Sequence, residues 1–405
     1  MVQLTIERLG HQGDGIAEGP VFVPQTLPGE VIEGTVVDGR IAKPRILTPS
    51  DNRVKAPCRH YNVCGGCSLQ HASDDFVAHW KRDVVATALK HHDISVEISA
   101  IHTSPARSRR RAVFHGKRTK NGATLGLFGR ASDILYDIPD CKLMSPNIMD
   151  RFETLRALVV LGATRRGQMT LTVTDVAGGL DVSVENGKEL DLEFRSQLAS
   201  FVPNSGFIRL VWHGEVIAQN GSPYQLFGSA KVVPPAGAFL QATSHGEAVL
   251  VDAMRRAVGP AKSVVDLFAG CGTFTLPLAE QARVHAVEDV DAMMEALGAG
   301  WREARGLKVV TTETRDLFRR PLLKDELAKF EAVVMDPPRA GAAAQTAELA
   351  RSDTRVIGFV SCNPVTFARD ARVLIDAGFV LDWLEVVDQF RWSAHVEIAA
   401  RFARM

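Results

Sequence analysis

From about residue 236 to its end the chain alternates short apolar runs with helical stretches, and this constrains the fold more than any other feature. The runs are SVVDLF (263 to 268), VHAVE (284 to 288), FEAVVMD (330 to 336) and VIGFVSC (356 to 362). Runs of this kind predict strands, and helical stretches between them predict a doubly wound α/β sheet. Ligands in such sheets bind beyond the carboxyl ends of the strands. Chemistry is therefore expected where these runs end.

Upstream, the chain reads as β-rich. Val2, Leu4 and Ile6 alternate, Gly10, Gly13 and Gly15 punctuate a turn, and VFVP (21 to 24) and EVIEGTVV (30 to 37) read as short strands; a small barrel closes them economically. Ser73 is a helix cap with Asp74 and Asp75 in the first turn, and Phe76, Trp80, Val84 and Ala88 form one helical stripe. MTLTVTD (169 to 175) and LVWHGEVIAQ (210 to 219), with turns at Gly178, Gly179, Gly187 and Gly221, suggest a central β-rich domain. Three units are expected: a barrel over 1–50, a central domain over 51–235, and an α/β domain over 236–405.

Of the 405 residues, 46% are hydrophobic and 23% charged, which excludes collagen, a coiled coil and long disorder. No apolar run approaches the ~20 residues that cross a bilayer. Glu7 and Arg8 stand where a signal peptide would be apolar, so a cytoplasmic protein without membrane contact is expected. Its six cysteines then predict free or ligating thiols rather than disulfides. Lys plus Arg (47) balances Asp plus Glu (47), so any polyanion surface must be local. One local excess exists. Between Glu97 and Asp133 there is no acidic residue, while Arg107, Arg109, Arg110, Arg111, Lys117, Arg118, Lys120 and Arg130 supply eight positive charges. That stretch reads either as a solvated face or as a phosphate contact.

The first α/β run leads into Asp266, Leu267, Phe268, Ala269, Gly270, Cys271, Gly272, a turn whose glycines let backbone approach a ligand. Thr275 replaces the third glycine of a dinucleotide fingerprint, which weakens a pyrophosphate reading. Glu288, 22 residues after Asp266, ends the next run where a carboxylate can accept ribose hydroxyls. The loop and this acid suit S-adenosylmethionine. Cys271 reads as loop packing. The run ending in Asp336 continues Pro337, Pro338, Arg339, a rigid loop at the ligand edge. Amino-group methylases place an aromatic residue where Arg339 stands, so methylation of an exocyclic amine is disfavoured.

Cys362 precedes Asn363 and Pro364, which read as the cap and first residue of a helix. A thiol there gains from amide donors and the helix dipole and is a candidate nucleophile; a core cysteine is the alternative. Glu397 lies within the apolar run HVEIAARF, as a buried general base or as a solvent-facing residue on an alternating strand. Together they fit one reaction: a thiolate adds to C6 of uracil, C5 takes a methyl group from a sulfonium, and a base removes the C5 proton. Cys58, Cys64 and Cys67 follow the spacing C-x5-C-G-G-C, with Cys141 a fourth thiol, and suit either zinc or an iron–sulfur cluster.

These segments resemble the TRAM-containing, iron–sulfur RNA uracil C5 methyltransferases over nearly the whole chain. The motifs are LTIERLGHQGDGIAEGPVFVPQTLPGEVIEGTV, CRHYNVCGGCSLQH with Cys141, FLQAT, DLFAGCGTFTLPLAE, MDPPRAG, SCNPVTFARD and HVEIAARF, in the family's order. The resemblance implies an N-terminal TRAM barrel of the oligonucleotide-binding type, a central β-rich domain with a [4Fe-4S] cluster on Cys58, Cys64, Cys67 and Cys141, and a C-terminal Rossmann-like methyltransferase domain. It implies Cys362 as nucleophile and Glu397 as base. Gln241, Glu288 and Asp336, with Asp266, Phe268 and Gly270 of the loop, would bind S-adenosylmethionine or position the uracil, Asp336 at the base edge. Two departures stand out: Thr243 where the family often has Asn after F-x-Q, and Arg391 where it has Pro after Phe390. RNA cytosine C5 methylases carry a Pro-Cys at the position of Pro337 and Pro338, and no cysteine is present there.

The expected activity is 5-methyluridine formation in a loop of folded RNA, 23S ribosomal RNA ahead of transfer RNA, with no obligate protein partner. The basic stretch 107 to 120 would track RNA beside the barrel. A non-catalytic RNA chaperone using barrel and basic patch alone is the competing expectation; Cys362, Asp336 and Glu397 together argue against it.

Overall fold

The computed structural model describes residues 1–404 and contains three large sheets. The largest has eight strands. Val310–Thr314, Arg283–Glu288, Ser263–Leu267, Ala332–Met335 and Val356–Ser361 lie side by side in that order and run parallel. Glu397–Ala403 then inserts antiparallel between Val356–Ser361 and Val380–Asp388. Ser263–Leu267 and Ala332–Met335 are buried at every residue because helices cover both faces of the sheet. The sequence order of the first five strands reverses between Ser263–Leu267 and its neighbour Ala332–Met335, and a crevice at the carboxyl ends of such a pair is the expected ligand position.

The helices end where side chains satisfy their free amides. Thr243 caps Ser244–Val258 through the Gly246 N–H, and Asn363 caps Pro364–Asp376 through the Val365 N–H with Pro364 first in the helix, as expected. Ser73 caps Asp74–Lys90. That helix and the strand Ile98–Thr103 join the C-terminal sheet: Ile98–Thr103 pairs parallel with Val380–Asp388, and Val85 and Leu89 enter the same apolar core as Phe359 and Phe402. The hairpin Gln225–Phe227 and Ala230–Val232 packs against Leu240, Cys271 and Leu276. Both segments fall within the span 51–235 expected to form a separate unit, and they pack elsewhere because their apolar faces complete the α/β core.

A seven-stranded sheet occupies the middle of the chain, from Glu215–Gln219 at one edge to Leu135–Asp137 at the other, with the helix Phe152–Gly162 contributing to its core. The stretch 210–219 is two strands rather than one. Phe207–Trp212 and Glu215–Gln219 reverse at His213 and Gly214, whose φ of 49° and 81° are those of a tight hairpin turn. Residues 2–48 form a five-stranded sheet in which Phe22, on the edge strand Val21–Val23, exchanges backbone hydrogen bonds with Gly39 and Ile41. Gly15 is required there, since a Cβ would meet the Thr26 hydroxyl at 2.2 Å. Among the described residues no helix is long and apolar enough to cross a membrane.

Candidate active site

The eight-stranded sheet delivers the predicted side chains to one edge. Asp266, Phe268 and Gly270 lie at the end of the first α/β strand, Glu288 at the end of the second, Asp336 just past Ala332–Met335, and Cys362 just past Val356–Ser361. Glu397 opens a strand that runs the other way, so its start lies at the same edge. Ser361 pairs with Ile398, which sets Cys362 and Glu397 as neighbours at the strand ends. The alternative of a solvent-facing Glu397 is excluded, because it is only 3% exposed.

Hydrogen bonds tie these groups together through two glutamines. Gln241 Nε2 donates to Asp336 Oδ2 at 3.0 Å, and Gln389 Nε2 donates both to Gln241 Oε1 at 2.6 Å and to Glu397 Oε2 at 2.8 Å. Burial holds Asp336 and Glu397 above the ordinary carboxylate range, the charge of Asp336 adds to the rise at Glu397, and the amide donors Gln241 and Gln389 oppose it. Burial, then Glu397 and Asp336, push the Cys362 thiol up to about 12, while Arg339 pulls it down. Desolvation and the two acids thus oppose the thiolate that the helix N-terminus and Arg339 favour. Gln389 carried no signal as a site residue in the sequence.

At the neighbouring strand ends, Glu288 accepts from the Gly270 N–H at 3.0 Å and from the Val290 N–H at 3.2 Å. Space above Gly270 is open, with φ at 54° and nothing within 4 Å of a Cβ built there. Phe268 also adopts positive φ, at 62°, and its ring lies 5.7 Å from that of Phe318. Asp266 is fully buried; Thr275 donates to its Oδ2 at 2.5 Å and its Oδ1 has no partner. Burial raises Asp266 to about 7. Cys271 is buried in loop packing, as expected.

Cys362 opens onto a cleft of about 1480 Å³ lined by strand residues of the two smaller of the three large sheets, such as Leu9 and Arg111, by the helix residue Trp80, and by Arg339 and Phe390 in loops beyond strands of the eight-stranded sheet. The expected helical stripe of Phe76, Trp80, Val84 and Ala88 forms one wall. The Arg339 carbonyl accepts from Asn363 Nδ2 at 2.9 Å, which latches the two-proline loop to the helix after Cys362. Arg339 Nη2 donates to His395 Nδ1 at 2.9 Å, so that nitrogen carries no proton. Burial and the charges of Arg339, Lys81 and Arg109 lower the His395 pKa. Lys81 is a buried charge that the sequence did not reveal. Its ammonium donates to Asp388 Oδ1 at 2.5 Å, the His395 carbonyl at 2.9 Å and the Phe390 carbonyl at 3.2 Å, fixing the segment that leads into Glu397.

The basic stretch divides. Arg110 is buried against Glu247 and donates to the Gln241 carbonyl at 2.9 Å, and Arg111 donates to the Gly237 carbonyl at 3.0 Å. Lys117, Arg118 and Lys120 are exposed around the hairpin that joins Arg111–Thr119 to Gly122–Phe128. A single continuous track is therefore not formed, since Arg110 serves the interior.

The four cysteines outside the sheet edge lie close enough for their charges to influence one another. Gly65 and Gly66 allow the C-G-G-C turn to dock on the end of Gly122–Phe128: a Cβ on Gly65 would meet the Phe128 carbonyl oxygen at 2.9 Å, and one on Gly66 the Leu127 side chain at 2.8 Å. Burial raises the thiols of Cys64, Cys67 and Cys141, and the other cysteines add to the rise; Cys67 reaches about 12. Backbone N–H groups of Gly66 and Leu143 point at the sulfurs of Cys64 and Cys141, at 3.4 and 3.5 Å. Among the described residues, no three Cys, His, Asp or Glu side chains are arranged to hold a metal ion.

Comparison with known proteins shows the family. A family model described as tRNA (Uracil-5-)-methyltransferase matches residues 235–404. An uncharacterized RNA methyltransferase of Mesorhizobium japonicum is 43% identical, covering 98% of this chain and 97% of the relative. The 23S rRNA (uracil(1939)-C(5))-methyltransferase RlmD of Shewanella woodyi is 31% identical, covering 99% and 95%. The chain belongs to the RNA uracil-5-methyltransferase family. Among solved structures, the Pyrococcus abyssi tRNA (uracil-54, C5)-methyltransferase in complex with S-adenosyl-L-homocysteine matches over 99% of both chains, with a TM-score of 0.78 at 21% identity. That likeness extends the family's α/β methyltransferase fold, mixed sheets included, over the full length of this chain.

Proposed function

We propose that this family member methylates C5 of a uridine in RNA, 23S ribosomal RNA ahead of transfer RNA, with S-adenosylmethionine as methyl donor and Cys362 as a covalent nucleophile. The observation that carries the reading is the meeting of Cys362, Asp336 and Glu397 at one sheet edge beside a cleft large enough for several nucleotides. The full-length similarity to RlmD supports the ribosomal substrate.

The donor's place is the crevice at Asp266, Phe268, Gly270 and Glu288, which offers an open turn, a carboxylate for ribose hydroxyls and an orphaned buried oxygen on Asp266. Gln241 and Asp336 border it. Asp336, with a raised pKa and an amide donor on one oxygen, is suited to the polar edge of uracil. The Cys362 sulfur, as thiolate, forms a bond to C6, and the displaced electron pair makes C5 nucleophilic. C5 takes the methyl group and the donor's sulfur leaves as a neutral thioether. Glu397 then accepts the C5 proton; the C–H pair re-forms the C5–C6 double bond and expels the thiolate. Cys362 ends as it began, so the proton released overall comes from C5. A flipped base is required because a pyrimidine stacked within a helix cannot bring C6 to the sulfur.

Residues 2–48 serve in this reading as a TRAM barrel over the RNA, with a central unit and a methyltransferase unit following. Cys58, Cys64, Cys67 and Cys141, which are not arranged around a common metal position in this structure, would hold a [4Fe-4S] cluster once drawn together. The N–H donors to the sulfurs of Cys64 and Cys141 fit thiolate ligation, while desolvation and the neighbouring cysteines raise three of the thiols, an opposition that a bound metal's positive charge would offset. The resemblance carried by CRHYNVCGGCSLQH favours a cluster over zinc. When bound, it supplies a cross-link between the 58–67 segment and Cys141. A cytoplasmic location suits such thiols.

RNA carrying 5-fluorouridine tests the nucleophile. A stable adduct through Cys362 is expected, because fluorine at C5 cannot leave as a proton. A Cys362→Ala protein that still methylates RNA ends the assignment.

A further inference from the structure

We propose that Gln389 is a positioning residue for the reaction, orienting Glu397 and, through Gln241, Asp336 from a single backbone amide. The inference rests on the reading of Glu397 as the base. A backbone N–H can only donate, and that of Ala242 donates to Gln389 Oε1 at 2.7 Å. This fixes which end of the Gln389 amide is nitrogen. Its Nε2 must then donate, and it has two acceptors, Glu397 Oε2 at 2.8 Å and Gln241 Oε1 at 2.6 Å. Because Gln241 Oε1 is thereby occupied as acceptor, its own nitrogen faces Asp336 Oδ2 at 3.0 Å. One peptide group thus sets the direction of every hydrogen bond in the chain from Ala242 to both carboxylates.

Three features show that the place is built. Gln389 and Gln241 are 1% and 2% exposed, so water does not compete for these bonds. Gly246, in the first turn of Ser244–Val258, leaves the room: a Cβ there would stand 2.7 Å from Gln389 Cβ and 3.1 Å from its Oε1. The flanking residues Asp388 and Phe390 are both held by Lys81. With one oxygen of Glu397 engaged by Gln389, the other is left for the C5 proton.

The charged groups around Glu397 are few. Asp336 comes from the fourth strand end and Cys362 from the fifth; Arg339 acts on Cys362 and on His395, and Lys81 is satisfied by Asp388. Gln389 is therefore the donor that favours the ionised base, and removing it makes ionisation harder. For Gln389→Leu we expect kcat to fall about 10- to 100-fold with KM for RNA within about twofold. The ascending limb of the pH–rate profile should move to higher pH, and covalent RNA adduct should accumulate. A lower kcat with the limb unmoved reduces Gln389 to packing and overturns the proposal, as does an unchanged kcat. Gly246→Ala pushes on the same amide without removing it and should move the limb in the same direction. It carries the test if Gln389→Leu does not fold, and an unmoved limb or an unchanged kcat overturns the proposal there too. Normal turnover by Glu397→Gln sinks the base assignment itself, which separates failure of that reading from failure of this one.

Discussion

The strand-end site, with its buried carboxylates, and the four-cysteine site, with one buried and three half-buried cysteines, both gather titratable groups, yet they are held in different ways. At the strand ends, parallel topology and one antiparallel return bring Asp266, Asp336, Cys362 and Glu397 together, and amides orient two of the carboxylates. The cysteines come from a turn-rich segment and from Cys141, held by glycine-permitted docking and two N–H···S contacts. The first site is held by the protein's own hydrogen bonds. The second has partly desolvated thiols whose charged forms have few donors, so in the cluster reading it depends on a ligand for its charge balance. The contrast separates a site made by the sheet from one that needs cargo to hold its loops together.

The largest expected effect breaks the comparison on the chemical side. Cys362→Ala should lower turnover by at least about 1,000-fold while leaving the melting temperature within about 2 °C, since the side chain lies past a strand end rather than in the core. Activity assays beside calorimetry measure both. At the other site the pattern should reverse. Cys67→Ser should abolish the broad visible absorbance expected of anaerobically purified protein and lower the melting temperature by several degrees, with turnover per folded molecule largely kept. A colourless wild-type protein carrying stoichiometric zinc overturns the cluster.

Asp266 sharpens the comparison through pH. Its folded pKa, about 7, lies above the unfolded value near 3.8, so the unfolded chain ionises first and this group's contribution to stability declines as pH rises from about 4 to 7. Asp266→Asn should remove that decline and stabilise the protein at pH 8 by on the order of 2–4 kcal/mol relative to wild type, while weakening binding of the methyl donor. Denaturant titrations at pH 5 and pH 8 check the sign; equal effects at both contradict it. The smallest effect concerns the exposed hairpin. Lys117→Glu with Arg118→Glu should reduce the salt-dependence slope of RNA binding by about 2 and leave single-turnover methylation at saturating RNA unchanged.

Much of the C-terminal architecture was legible because short, largely apolar runs alternating with helical stretches specify parallel strands, and the carboxyl ends of such strands, near Asp266, Glu288, Asp336 and Cys362, share an edge. Asn363 and Pro364 announced the helix that follows Cys362 for equally local reasons. The helix Asp74–Lys90 was legible as a helix but not as part of the C-terminal core, since a stripe of Phe76 and Trp80 does not say which surface it meets. Arg110 read as one cation in a basic stretch and is instead buried against Glu247, a partner 137 residues away.

By itself, the sequence determined the strands, their caps and the chemical identities placed at their ends, because periodicity and capping act over a few residues. Tertiary structure alone decided the acids and desolvation that bear on Cys362, the pairing of Lys81 with Asp388 and the directional amide relay through Gln389. Each of those depends on desolvation and on partners far away in the chain, and free energies of charge and hydrogen bonding are set by what surrounds a group rather than by what precedes it.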